Sequence, residues 1–148
     1  MAGSLHKAGM DGSGTTTIQT GLDLPRGLTI DFAARRLYWT ERITHRIQTC
    51  DMDGGDLRTA VQLPLGSGPH GIAISGDRIY WGNEGDNKLQ SSTKDGQDIQ
   101  TLYVATDDIK KVILVPAGNP ATNRSNDGEG RNCSTLCVLT PVSYRCLG

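Results

Sequence analysis

The sequence predicts an all-β chain assembled from a repeated unit, and three observations carry that prediction. Met10-Asp11-Gly12, Met52-Asp53-Gly54 and Lys94-Asp95-Gly96 recur with their Asp residues 42 positions apart. Leu37-Tyr38-Trp39-Thr40-Glu41 recurs as Ile79-Tyr80-Trp81-Gly82-Asn83, again at a spacing of 42. Between the motifs, apolar residues alternate with polar ones, as Leu28, Ile30 and Phe32 do with Thr29 and Asp31. That is the period of a half-buried strand. Two motifs sharing one period mark a repeat architecture.

The elements follow in order. Strands are expected near 28–32, 36–40, 45–50, 71–75 and 78–82, and no helix longer than about two turns, because no segment sustains a 3.6-residue stripe. The Asp-Gly pairs at Asp11, Asp53 and Asp95 supply hairpin turns, since Gly tolerates positive φ. Four short strands with turns fill one period, the size of a propeller blade of about 40–50 residues. A blade cannot bury both faces alone. Tyr38, Trp39, Tyr80 and Trp81 therefore read first as aromatics packed between neighbouring sheets, and only second as ligand contacts.

Composition narrows the function. The 148 residues carry 15 Lys+Arg against 16 Asp+Glu, and no basic stripe points to a nucleic-acid partner. No apolar run approaches the roughly 20 residues of a membrane span, so no membrane insertion is expected of this chain. Met1–Lys7 lacks the apolar stretch of a signal peptide. Neither a nucleophile elbow nor a His-Glu-x-x-His helix is present. No Lys-Ser/Thr follows Gly12-Ser13-Gly14 or Gly66-Ser67-Gly68 to cradle phosphate. No catalytic residue, metal set or cofactor is nominated. Four Cys are present, Cys50 alone and Cys133, Cys137 and Cys146 together, and they formally allow three pairings. The spacing of the last three offers no local fourth ligand for zinc.

At Leu37 to Glu41 the sequence resembles the Tyr-Trp-Thr-Asp motif that names the six-bladed propellers of low-density lipoprotein receptors and their relatives. Pro25-Arg26-Gly27-Leu28-Thr29-Ile30-Asp31 is similar to that family's inner strand, and the Met-Asp-Gly turn to its hairpin. Asp108-Ile109-Lys110-Lys111-Val112 resembles the closing strand. Asn119-Pro120, Cys133-Ser134-Thr135-Leu136-Cys137 and Tyr144-Arg145-Cys146 resemble the EGF-like module that follows. The resemblance implies a partial six-bladed propeller of two to three blades over 1–118, with repeats near 10–51, 52–93 and 94–118. A degenerate, disulfide-containing EGF-like module is implied over 119–148. Gly82-Asn83 departs from the family's Thr-Asp, and Ala121 stands where the module's first Cys is expected. By the family's pairing, Cys133 bonds to Cys146. Asn123 and Asn132 open N-glycosylation sequons.

The resemblance also sets the expected function: an extracellular, protein-binding module of a receptor ectodomain, not an enzyme. Its partners would be extracellular protein ligands or Cys-rich receptor repeats, and its roles ligand capture and release, endocytosis or Wnt signalling. A matrix adhesion propeller of the nidogen kind is the alternative. A metal-dependent propeller lactonase is the enzyme reading, with Asp31 and Asn83 as imaginable ligands of a hard cation. The length fits about half of a six-bladed ring, as in a piece of a larger protein. His45, four residues after Glu41, matches by position a family His that acts at endosomal pH, which makes it a candidate acid sensor. Arg42 and Arg46 beside it would oppose its protonation.

Overall fold

A computed structural model describes residues 2–106, 108–115, 135–139 and 144–147. Thirteen strands run in chain order among them: β1 (Ala2–Lys7), β2 (Thr16–Asp23), β3 (Pro25–Asp31), β4 (Arg36–Glu41), β5 (Arg46–Asp51), β6 (Arg58–Gln62), β7 (Pro69–Ser75), β8 (Arg78–Asn83), β9 (Lys88–Thr93), β10 (Gln100–Val104), β11 (Lys111–Val115), β12 (Thr135–Leu139) and β13 (Tyr144–Leu147). No helix occurs among the described residues. The strands form four antiparallel sheets. β3-β4-β5-β6 and β7-β8-β9-β10 are complete blades, β1-β2 precedes them, and β11-β12-β13 follows. β3 lies against β7 and β7 against β11, so the first strand of each blade lines a common inner edge.

The 42-residue repeat is staggered against the sheets. In the two complete blades the Asp-Gly turn joins the third and fourth strands, so one period takes the outer strand of one blade and three strands of the next. At the turn, Asp51 Oδ1 accepts hydrogen bonds from the Asp53 and Gly55 amides, both at 2.9 Å. Gly54 has φ +96° and Gly96 +85°. A Cβ on either would also run into the outer strand of the preceding sheet, at the Ile18 or Ala60 carbonyl. The glycine is needed twice over, for its backbone and for its contact.

The aromatic pairs point in opposite directions, as alternation along a strand dictates. Trp39 packs with Leu22, Leu37 and Cys50 against β1-β2. Tyr38 faces forward and packs with Ile47, Val61, Ile72 and Trp81 between the two complete blades. Tyr80 in turn packs against Leu89, Ile109 and Val112 beside β11. Trp39 and Trp81 are 1% and 0% exposed. Full burial of such a side chain contributes roughly 1.5–3 kcal/mol.

The inner strands meet backbone to backbone. A Cβ on Gly27 would overlap the His70 carbonyl oxygen, and one on Gly71 would overlap the Lys111 backbone. Thr40 locks the first of these contacts. Its Oγ1 accepts from the Gly27 amide at 2.8 Å and donates to the His70 carbonyl at 2.7 Å, tying its own blade to the next. In the second blade Gly82 stands at that place, and the Ile109 side chain occupies the space.

β12 and β13 fall within 119–148 and pair in one sheet with β11, with Cys137 and Cys146 as register partners. Cys133, Asn123 and Asn132 lie outside the described residues.

Gly27→Ala should therefore destabilise the chain by at least about 2 kcal/mol through overpacking. Thr40→Val, which keeps the shape but strands two buried polar groups, should cost about 1–3 kcal/mol. Thermal melts check both. Wild-type stability in both variants would contradict the locked inner edge.

Candidate functional site

The strand register places the ends of the two motifs at one rim of the blades. Pro25 pairs with Glu41 and Pro69 with Asn83, so the residues following each, Arg26, Arg42, His70 and Glu84, cluster there. Lys110, just before β11, joins them. Arg42 Nε donates to Glu84 Oε1 at 3.2 Å. These two residues occupy equivalent positions one repeat apart, so the ion pair bridges blades. Lys110 Nζ donates to the other Glu84 oxygen. Glu84 is 10% exposed in its side chain. Burial pushes its carboxyl up, but the Lys110 and Arg42 hydrogen bonds outweigh that and hold it below its ordinary 4.5.

His70 is half-buried beside this group, and its Nδ1 is buried with no hydrogen-bond partner among the described residues. Burial lowers its affinity for a proton. Glu84 opposes that effect, while Arg26, Lys110 and Arg42 add to it, leaving the pKa below 6.5. Arg26 is exposed and projects the rim's free positive charge. Glu84, and Asp108 at 3.7 Å from Lys110, thus face three cations and an imidazole. The rim can grip an acidic surface. Sequence reading overlooked it, although Arg42 and Glu84 share a repeat position with opposite charge.

The motif acids serve structure. Glu41, 1% exposed, accepts from Arg46 Nε at 2.6 Å, Thr44 Oγ1 at 3.1 Å and Trp39 Nε1 at 3.2 Å. Asn83 replaces it in the second blade and donates to Gln90 at 2.9 Å. Its Oδ1 and the Trp81 indole N–H have no hydrogen-bond partner among the described residues. Asp31 and Asn83 are not brought together. Asp31 lies at the far end of its blade, paired with Lys94, while Asn83 lies at the rim. Among the described residues no group of His, Cys, Asp and Glu is placed to hold a metal. Cys50 is a free, fully buried thiol, and burial raises its pKa, helped by Asp51.

His45 faces its own chain. It has φ +53° in the β4–β5 turn, the left-handed position that Asn87 fills in the second blade. Its Nδ1 accepts from the Gly68 amide at 3.1 Å, and its Nε2 lies 3.4 Å from the Gly66 amide. Only one nitrogen of a neutral imidazole can accept, and the shorter contact assigns that role to Nδ1. The two neighbouring guanidiniums are occupied, Arg42 by Glu84 and Arg46 by Glu41.

The four stacked antiparallel sheets around one inner edge define a partial β-propeller. Solved structures agree. The chain is similar to one in the nidogen/laminin complex at 24% identity and TM-score 0.75, covering 97% of this chain and 52% of that one. It is similar to a gluconolactonase from Xanthomonas campestris at 16% identity and TM-score 0.72, covering 97% and 43%. A regucalcin from Agrobacterium tumefaciens matches at 12% identity and TM-score 0.63, covering 90% and 50%. The chain thus spans about half the length of the structures it matches. At these identities the likeness establishes the fold alone. No family model matches the chain.

The rim predicts two acid steps in stability. His70 binds its proton more weakly folded than unfolded, so stability should fall as pH drops below 6.5 towards its lowered value. Glu84 should add a loss as pH drops below 4.5 towards its own lowered value. Melts across pH should show His70→Gln flattening the first step and Glu84→Gln the second. An unchanged slope between about pH 7 and 5 in His70→Gln would contradict the assignment.

Proposed function

We propose that this chain is part of an extracellular protein-binding propeller that grips an acidic partner through the rim of Arg26, Arg42, His70, Glu84 and Lys110. The observation that carries the reading is the bridging cluster itself, with cations in excess and Arg26 free. Clustered charge of one sign steers complementary surfaces together and fixes their register. The aromatic motifs and repeat order resemble those of low-density lipoprotein receptor propellers, which supports a receptor or matrix-adhesion setting. One similar structure is a nidogen in complex with laminin, a protein–protein assembly. Acid release by His45 is proposed as part of the same reading, on the contact of its Nδ1 with the Gly68 amide just before β7.

Biosensor binding tests the proposal, with acidic Cys-rich receptor repeats and a laminin fragment as probes. Arg26→Glu should slow association by about tenfold at low salt and leave the melt unchanged, with the difference shrinking as salt screens it. Equal association rates for wild type and variant would overturn the rim as the docking face. Lactone turnover that requires added calcium would favour an enzyme instead.

A further inference from the structure

A cavity of about 360 Å³ opens between the two complete blades at the end away from the rim. That volume lies within the range of small-molecule sites, about 300–1,000 Å³. The first blade supplies one wall through Tyr38, Thr49, Arg58 and Thr59. The turn at Asp77 and the segment Thr93-Lys94-Asp95 supply the other. The register explains the gap. Near the rim, Thr40, Ile47 and Val61 lie in one cross-strand row, and Ile47 and Val61 fill the interface. One step further along, the row is Tyr38, Thr49 and Arg58, too short or too polar to close it.

The lining has unused hydrogen-bonding capacity. Tyr38 is 3% exposed and lines the cavity, and its hydroxyl has no hydrogen-bond partner among the described residues. The Asp77 carboxylate is exposed and likewise unpartnered. Arg58 has only a 3.4 Å contact with Asp56, between two exposed side chains. Arg58 and Lys94 balance Asp77 and Asp95, so the lining selects neither an anion nor a cation. Lys94 is already held by Asp31, and Asp95 by Thr93 at 2.5 Å. Free donors and acceptors with no net charge, beside a tyrosine ring and the Ala60 methyl, suit a ligand with many hydroxyls and one apolar face.

We propose that this inter-blade cleft binds a neutral hexose unit, with Asp77 accepting from adjacent hydroxyls, Arg58 donating to ring or hydroxyl oxygens, and Tyr38 supplying a hydroxyl contact. The site is separate from the rim and does not depend on the reading given to it. Saturation-transfer NMR and calorimetry on the intact chain provide the test, with free neutral hexoses, the same sugars at oligosaccharide ends, and glucuronic and sialic acids. At least one neutral sugar should bind saturably, and Tyr38→Phe and Asp77→Asn should each weaken it by about tenfold with unchanged melts. Tighter binding of the oligosaccharide would assign the site to glycans, and tighter binding of the free sugar to a small metabolite. No saturable neutral sugar, a preference for the acids, or full binding in both variants would overturn the proposal.

Discussion

The rest of the structure depends on the approach of β3 to β7 at Gly27. No side chain fits between that glycine and the His70 carbonyl, and the Thr40 hydroxyl bonds to both sides of the junction. Antiparallel sheets twist, so two blades touching along an inner edge must splay outward. The splay leaves a wedge, and the wedge dictates what fills it: Tyr38, Ile47, Val61, Ile72 and Trp81. It also sets the two places where polar groups gather. At one end the junction brings Arg42 opposite Glu84. At the other, the row of Tyr38, Thr49 and Arg58 leaves the interface open.

The two blades share a plan but not its chemistry. Arg36 and Arg78 each reach across their blade to an Asp in the left-handed conformation, Asp56 or Asp98, at 2.8 and 3.0 Å. Where the first blade has Thr40 and Glu41, the second has Gly82 and Asn83, and a hydrogen-bonded lock gives way to packing by Ile109. Lys94 stands where Met52 packs in the preceding repeat, and it makes the Asp31 ion pair in place of that apolar contact. These departures lie between blades, so they adjust how neighbours fit without disturbing either sheet.

Much of the fold was legible because its period is written in side chains that packing requires. β3, β4, β5, β7 and β8 coincide with the strands the alternation implies. β3 and β7 each begin a few residues early, at a proline followed by a register shift. β9 was harder, because Lys88-Leu89-Gln90-Ser91-Ser92-Thr93 carries one apolar residue, and Ser91 and Ser92 are buried through hydrogen bonding and fit. β6 and β10 are outer strands, half wetted, with little alternation to read. The rim is not legible as a repeat, because Arg42 and Glu84 are unlike residues 42 positions apart. Their opposite charges, at positions that face each other across blades, were the signal. The cleft had no signal at all, since it arises from Tyr38, Thr49 and Arg58 falling in one cross-strand row.

If the inner edge governs stability, the two complete blades should open together. Native-state hydrogen exchange measures this directly, residue by residue, as an opening free energy. One shared opening energy is expected for the central-strand amides of both blades, β4 and β5 with β8 and β9, falling equally in both blades on Thr40→Val. Separate opening energies for the two blades, with only the first affected by Thr40→Val, would contradict it.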